Sequence, residues 1–549
     1  MPGPTPWWKS AVVYQIYPRS FLDTAPVDWA DRGERYAAAF PPRAITAGDG
    51  VGDLEGIRRR LGYLVELGVD AIWLSPFFTS PMADFGYDVA DFCDVDPLFG
   101  TMADFDRLLA EAHQRGLRVL VDWVPHHTSD RHPWFVDART SRTSARRDWY
   151  VWRNDRSDTD GGAGPPGSPG RRPNNWLAAF GGPAWTWDEA TGQWYLHLFL
   201  PEQPDLNWSN PEVVAAMHDV LRFWLDRGVD GFRMDVIHAL GKDPALPDAA
   251  PGAERMPIAA VEEPAYTHEL LRGIRALLDS YPGDRVSVGE VYLLSTRRVA
   301  RFYGTPEAPE LHLSFNFPPL YAPWEAAAWR HRVDRVVEEL DPIKAWPTWV
   351  LSNHDNPRHR TRYGGDERRA RAAAVLLACL RGTPFLYAGE ELGLENAQVP
   401  PDRVVDPGGR DGCRAPLPWD ASPQHGWPTA DPWLPWPPEP STHNADSEAH
   451  DPASTLSLYR RLLAARRASA ALRTGSFTWL PTPGGVLAWL RSEGNDHRVA
   501  LVNFKNKRAK VPLEGRWFVA VSSLGPTGEG QAYSGVVGPS EALVLRPDS

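Results

Sequence analysis

Three carboxylates follow strand-like apolar runs in this chain, and their types and placement define the chemistry it could do. Asp235 lies in Gly231-Phe232-Arg233-Met234-Asp235-Val236, Glu290 in Val288-Gly289-Glu290-Val291-Tyr292, and Asp355 in Ser352-Asn353-His354-Asp355-Asn356. The runs are residues 228–232, 285–288 and 348–351. Acidic groups at the C-terminal mouths of parallel strands are where a barrel enzyme keeps its reactive groups. Two such carboxyls on either side of one anomeric carbon can break a glycosidic bond, provided that one is ionised and the other protonated.

Neighbouring residues suggest how each carboxyl is tuned. Arg233 and Asp235 are two apart, so on a strand they share a face. The guanidinium would keep Asp235 ionised, as a nucleophile requires, although a structural ion pair reads the same way. Negative charge from Asp235 and Asp355 would raise the pKa of Glu290, which could equally cap a helix after Gly289. His354 and Asp355 could grip two neighbouring sugar hydroxyls, the Asp accepting and the His donating. The competing reading is an N-cap before Asn356-Pro357. Asp122-Trp-Val-Pro-His-His127 ends another apolar run, and one of its histidines could donate to a substrate hydroxyl or simply be a core residue.

Helices must separate the strands for these ends to meet. Residues 11–16, 69–74 and 117–121 read as strands, with helical spacing over 54–67 and 102–116. After residue 127 the alternation stops until a helix at 211–227. An excursion of that length, rich in Trp and holding a Gly/Pro run at 161–167, is too long for an ordinary loop and predicts an inserted subdomain. Helix–strand units resume and lead to Asp235, Glu290, residues 311–317, Asp355 and residues 382–388. Eight strands with intervening helices fit an α/β protein with a parallel (β/α)8 TIM barrel. After a helix at 454–467, short strands at 486–490, 499–504, 517–521 and 542–545 predict a small C-terminal antiparallel β-domain. The expected division is a barrel over 1–127 and 204–470, an insert over 128–203 and a C-terminal β-domain over 471–549. Residues 421–450, rich in Pro, Trp and acids, read as a long surface loop.

Bulk properties narrow the field. The net charge is −12 over 549 residues, with no long basic run, which speaks against nucleic acid as a partner. The chain holds 25 Trp, 20 Phe and 16 Tyr, and rings not needed in the core could pack on sugar C–H faces. Cys93, Cys379 and Cys413 are far apart and lack metal spacing, so free thiols in a reducing compartment are expected. No signal peptide or membrane-spanning run is read, and a soluble cytoplasmic protein is the expectation. Whether it is a monomer or a homo-oligomer is left open.

Taken together the motifs resemble those of the α-amylase superfamily (glycoside hydrolase family 13), in its α-glucosidase and oligo-1,6-glucosidase branch. The matching segments are Tyr14-Gln-Ile-Tyr-Pro-Arg-Ser-Phe21, Asp122-Trp-Val-Pro-His-His127, Gln203-Pro-Asp-Leu-Asn207, Gly231-Phe-Arg-Met-Asp-Val236, Val288-Gly-Glu-Val291, Ser352-Asn-His-Asp355 and Gly382-Thr-Pro-Phe-Leu-Tyr-Ala-Gly-Glu390. The resemblance implies that Asp235 is the nucleophile, Glu290 the general acid/base and Asp355 the transition-state stabiliser. It places Arg233, His127 and His354 around the bound sugar and makes Tyr87 the ring-stacking residue. Asp84 and Arg410 would form the pair that closes the non-reducing end. Val236 resembles the residue type of relatives that cut α-1,6 bonds, though a core role reads equally well.

The expected activity is retaining, exo-acting hydrolysis of short α-glucosides. A transglycosylase or sucrose isomerase on the same site is the alternative, a non-catalytic scaffold a more distant one, and an endo-amylase conflicts with the Asp84–Arg410 barrier. Two departures stand out. His126 replaces the Asn of relatives. The acidic loop that holds Ca2+ or Mg2+ in relatives is split here by residues 25–47, with Ala47 at the Asn position. It leaves Asp23, Asp49, the Val51 carbonyl and Asp53 as the donors such a cation could use, and a solvated acidic turn reads the same way. No organic cofactor is expected.

Overall fold

The computed structural model describes residues 5–24, 48–156, 171–252 and 265–548. The extra segment 25–47 and the Gly/Pro run at 161–167 lie outside the described residues.

Eight strands form one parallel sheet: β1 (Val13–Ile16), β2 (Ala71–Leu74), β3 (Arg118–Trp123), β4 (Gly231–Met234), β5 (Val286–Gly289), β6 (Leu313–Ser314), β7 (Thr348–Val350) and β8 (Thr383–Tyr387). Their spatial order is β6-β5-β4-β3-β2-β1-β8-β7, so each strand pairs with its sequence neighbour and β8 returns to β1. The remaining seam, between β6 and β7, is bridged by Thr348 Oγ1 donating to the Ser314 carbonyl at 2.7 Å. The result is a nearly closed (β/α)8 barrel, as the alternation predicts. Apart from Arg118, every residue of the eight strands is buried, which explains their continuous rather than alternating apolar runs. Val13, Trp73, Leu120, Val288, Phe315 and Phe385 fill the barrel interior. Gly231 is required where β4 approaches β5, since a Cβ there would lie 2.2 Å from the Val286 carbonyl oxygen.

Helix ends carry local signals. Thr101 and Asp104 form a reciprocal capping box at the start of Met102–Gln114. Asn210 caps Pro211–Arg227, and Gly228 ends it in the left-handed conformation. Two elements differ from expectation. The helix expected over 54–67 is two helices, Leu54–Arg59 and Leu61–Leu67, broken at Arg60, whose guanidinium lies 4.2 Å from the centre of the Trp419 ring. The strand expected over 311–317 shortens to Leu313–Ser314, because Pro318 and Pro319 start a short helix and lack the N–H a strand would need.

Between β3 and β4 lies a three-stranded antiparallel sheet, ordered Trp152–Arg153, Gln193–Leu196, Trp185–Asp188. Its indoles Trp185 and Trp194 join Trp176 in a separate apolar cluster that includes Val236 of the barrel. Residues 421–450 are not simply a surface loop. Trp427 and Leu434 are buried and Ala445–Ala449 is helical, because indole and isobutyl groups are poorly tolerated in water.

The chain ends in a five-stranded antiparallel sheet. Its strands run from Ser476–Trp479 to Ala542–Pro547. A buried arginine of the sheet, Arg491, fastens it to the barrel, and Arg466 ties the helix Thr455–Arg467 to the same region. Arg491 donates to the carbonyls of Cys379 (2.8 Å), Gly475 (3.0 Å) and Ser476 (3.0 Å), and Arg466 to those of Ala378, Leu472 and Gly382. Both use the last carbonyls of the helix Glu367–Cys379, which have no partner within the helix. Among the described residues, no helix is long and apolar enough to cross a membrane. Arg491→Met should remove three hydrogen bonds, leaving the Cys379 carbonyl to the Trp489 indole N–H alone, and cost about 2 kcal/mol, read as a lowered thermal midpoint. A midpoint equal to wild type would show that the clamp does not hold the sheet.

Candidate active site

Three barrel strands deliver one charged cluster. Asp122 on β3 is in register with Arg233 on β4, and Arg233 with Val288 on β5. The ladder continues past the strand ends, the Asp235 N–H donating to Trp123 O and the Glu290 N–H to Met234 O, each at 2.8 Å. The carboxylates are therefore fixed by backbone. Arg233, almost wholly buried, donates through Nη1 to Asp122 Oδ1 (2.8 Å) and Asp235 Oδ1 (2.5 Å), and pairs through Nη2 with Glu290 Oε2 (2.7 Å). The sequence spacing thus put Arg233 and Asp235 on one face correctly. Glu290 does not cap a helix; its Oε2 accepts the Val236 N–H at 3.1 Å. Val236 holds a left-handed conformation (φ 42°), a costly geometry for a β-branched residue, and this turn accompanies that donation.

Opposite this cluster stand the β2 and β7 ends. Asp355 is not a helix cap either: Asn353 Oδ1 accepts its N–H and that of Asn356 (3.0 and 2.9 Å). His354 Nε2 lies 3.1 Å from Asp355 Oδ2 and 2.6 Å from the Tyr87 hydroxyl, which also donates to Asp122 Oδ2 at 3.0 Å. The Tyr87 and His354 rings stack with centroids 5.3 Å apart. His127 lies 3.1 Å from the Tyr87 carbonyl and 3.0 Å from Gln203 Nε2, which donates to Asp84. Arg410 closes the group. Its Nη2 donates to Asp84 Oδ1 at 2.6 Å and its Nη1 to Asp355 Oδ1 at 3.1 Å.

All nine sequence-derived catalytic and sugar-contact residues come together here. Eight of them line one cavity of about 380 Å3: Asp84, Tyr87, His127, Asp235, Glu290, His354, Asp355 and Arg410. Arg233 lies behind it, in contact with two of them. The cavity is also lined by Phe180 and Phe199 of the insert and by Tyr292, Asn356 and Val236, which the sequence reading did not assign as contacts. Neither phenylalanine carries a chemical signature; only the aromatic surplus hinted that rings would face a groove. Asp406 and Arg414 were missed as well. Asp406 accepts from Arg410 at 2.6 Å, and Arg414 donates to Asp355 at 3.2 Å. Asp122, quoted as the head of a motif, turns out to be the third carboxylate on Arg233.

The electrostatics differ from the simple expectation at one point. Arg233 was expected to keep Asp235 ionised. Burial is the larger influence: it pushes the Asp235 carboxyl well above the usual range, Arg233 pulls it back, and Glu290 and Asp122 push it up again. Burial likewise pushes Asp122 up to about 7. Three carboxylates share one guanidinium, so protons are taken up by the cluster rather than by one residue. At Asp355 the balance is reversed. Against the burial penalty, the cations around it, with Arg410 and Arg414 in direct contact, hold it below the usual range. Burial lowers His126 and His354 well below the ordinary histidine value and His127 to about 3, so all three are neutral near pH 7. His126 faces away from the cavity, 3.4 Å from Asp205, which Lys242 approaches at 3.1 Å.

The acidic loop stands apart. Asp23 accepts from the Gly50 N–H, Asp49 from that of Val51, and Asp53 from Gly56 and Thr24. Burial, with added repulsion from Asp49 and Asp53, pushes Asp23 up to about 7, and burial raises Asp53 to about 6. The donors are all hard oxygens, which suits Ca2+ or Mg2+. Among the described residues, no three His, Cys, Asp or Glu side chains group as a ligand set.

The family described as "Alpha amylase, catalytic domain" matches residues 15–475. A probable alpha-glucosidase of Rhizobium meliloti (strain 1021) is 42% identical and covers 94% of both chains. An oligo-1,6-glucosidase of Parageobacillus thermoglucosidasius is 36% identical over 91% of both. Among solved structures, the alpha-glucosyl transfer enzyme XgtA is 39% identical with a TM-score of 0.85, covering 98% of this chain and 100% of that one. The trehalulose synthase MutB of Pseudomonas mesoacidophila MX-45 is 33% identical with a TM-score of 0.87, covering 99% and 100%.

Asp122→Asn removes one negative charge beside Asp235 and leaves Arg233 less shared. Both changes ease ionisation of Asp235. The acid limb of kcat/KM on a p-nitrophenyl α-glucoside should therefore move down by about one pH unit. An unmoved limb would mean that Asp122 is not felt at Asp235.

Proposed function

The chain belongs to the α-amylase superfamily (glycoside hydrolase family 13), in its α-glucosidase and oligo-1,6-glucosidase branch, and from that premise we propose that it is a retaining, exo-acting enzyme that transfers the glucosyl group of short α-glucosides to hydroxyl acceptors as well as to water. The observation that carries this reading is the placing of Asp235 and Glu290 side by side on one guanidinium, in one cavity closed by Asp84 and Arg410.

In this reading Asp235 attacks the anomeric carbon while Glu290 gives its proton to the departing oxygen. Two carboxyls held about 5–5.5 Å apart suit such a double displacement, against roughly 6.5–9.5 Å for inversion. Only the microstate with Asp235 ionised and the proton on Glu290 reacts. An acceptor then returns a proton to Glu290 and displaces Asp235. Asp355, kept ionised by arginines, accepts from ring hydroxyls as the sugar flattens. The neutral His127 and His354 donate to hydroxyls without adding charge. The Asp84–Arg410 pair blocks passage of a longer chain, which supports exo action and speaks against an endo-amylase.

Transfer stands ahead of simple hydrolysis, the activity first expected from the sequence. XgtA, an α-glucosyl transfer enzyme, and MutB, a trehalulose synthase, align over essentially their full lengths. The relatives named as glucosidases support hydrolysis on the same machinery. The three cysteines, all free, support a cytoplasmic location. At the acidic loop, Ca2+ or Mg2+ would be held by Asp23, Asp49, the Val51 carbonyl and Asp53, and would offset the repulsion at Asp23.

Asp235→Asn should lower kcat by about four orders of magnitude while circular dichroism stays as in wild type. NMR of the first product should show the α-anomer; a β-anomer would end the retaining mechanism. For the loop, saturating Ca2+ after chelation should raise stability by about 2–4 kcal/mol, seen as a higher thermal midpoint. No shift with either ion would remove the metal from the account.

A further inference from the structure

A second cavity, of about 290 Å3, is lined by residues of both the insert and the barrel and shares none with the cavity that holds Asp235 and Glu290. Four cations line it, Arg142, Arg147, Arg153 and Lys242, against two carboxylates, Asp148 and Asp243. Lys242 is answered by Asp205 at 3.1 Å. The three arginines, all on the insert, have no such partner. Among the described residues every acceptor they reach is a neutral oxygen. Arg142 donates to the carbonyls of Thr191 (2.6 Å) and Gly192 (2.5 Å), and Arg153 to those of Trp152 (2.8 Å) and Pro244 (3.1 Å). Arg147 donates to Ala138 O (2.9 Å), Thr191 Oγ1 (3.0 Å) and Gln193 Oε1 (2.6 Å).

Two donors in this wall are buried and have no hydrogen-bond partner among the described residues, Arg147 Nε and the Trp152 indole N–H. The two residues are 9% and 8% exposed, and the guanidinium lies on the indole, 3.4 Å from the ring centre. A buried donor without an acceptor is destabilising, and a buried charge without a counter-charge more so. Burial pushes Arg147 down to about 10; Asp188, held by Arg139 at 2.6 Å, draws it back, and Arg142 lowers it again. Guanidinium groups in this state suit an oxyanion, which accepts several N–H groups at once. The reaction cavity, with Asp84, Asp235, Glu290 and Asp355 against Arg410, disfavours the same ion. Away from the arginines the second cavity mixes Leu240, Leu246 and the Tyr266 ring with the polar Asn207 and Ser209. Apolar walls with a few polar groups suit a body that has both C–H faces and hydroxyls.

We propose that this cavity is a second ligand site and takes the phosphate ester of a sugar, its phosphate meeting the arginines of the insert and its ring lying against the barrel side. The site is independent of whether the glucosyl group passes to water or to another acceptor. The phosphate supplies the counter-charge that the arginines do not find in the chain, and its oxygens accept the unpaired donors.

Calorimetric titration of the full chain at low salt tests this with glucose 6-phosphate, inorganic phosphate and glucose. The ester should bind at one site per chain with a Kd below about 1 mM. Inorganic phosphate should bind about tenfold more weakly, because it leaves the apolar wall uncovered. Saturating glucose, which suits the reaction cavity, should leave binding of the ester unchanged. Arg153→Gln removes a half-buried guanidinium and should weaken the ester about tenfold, with turnover of a p-nitrophenyl α-glucoside retained as the sign of a folded enzyme. Arg147→Lys keeps the charge but loses Nε and the stack on Trp152, and should weaken the ester about fivefold. Absence of saturable ester binding by wild type overturns the inference. So does displacement of the ester by glucose, inorganic phosphate as tight as the ester, or an unchanged affinity in Arg153→Gln.

Discussion

One buried guanidinium set against three carboxylates is the constraint on which the site depends. Burying Arg233 is tolerable only because its charge is paired on both terminal nitrogens, and burying three carboxylates only because Arg233 and shared protons offset their charge. The partners come from three adjacent strands, so the cluster's geometry is the barrel's register. The residual negative charge has a chemical use in the proposed reaction. An oxocarbenium-like transition state is positive at the ring, and a fixed anionic cluster that needs no reorganisation stabilises it more than the neutral ground state.

The other side of the cavity is organised differently. Arg410 stands beyond β8, not on a barrel strand, and bridges Asp84, Asp355 and Asp406. Asp406 and Arg414 hold it in turn, so this loop has its own internal charge balance. Here two arginines face three carboxylates, against one for three around Arg233, and that larger share of positive charge holds Asp355 below the usual range. Two environments only a cavity's width apart thus shift acidic groups in opposite directions, Asp235 up and Asp355 down.

What the sequence disclosed follows the range of the forces involved. The strands and the carboxylates at their ends were legible because apolar runs, glycines and helix caps are local signals. Arg233 and Asp235 could be placed on one face from spacing alone. The break at Arg60 was not legible, since it accompanies packing on Trp419, more than 350 residues along the chain by subtraction of their numbers. The same holds for Trp427, which looked like a loop residue until the barrel gave it a surface to pack on. Phe180 and Phe199 carry no motif and reach the cavity only through the fold of the insert. The dominance of burial at Asp235 could not be read either, because a neighbour's charge is visible in a sequence and the depth of a site is not.

Val236 joins the two levels of organisation. Its N–H donates to Glu290, its chain neighbour is Asp235, and its side chain belongs to the tryptophan-rich cluster of the insert. Its left-handed backbone would relax in a free chain, so the surrounding packing must hold it. Any shift of the insert relative to the barrel therefore acts on the residue between the two reacting carboxyls. In the proposed reaction the barrel register would hold the groups that break the bond, and the insert, through Val236, Phe180 and Phe199, would shape the space in which the departing and arriving groups exchange. Variation among relatives that alters acceptor choice while keeping the charged cluster is the expected consequence of that separation.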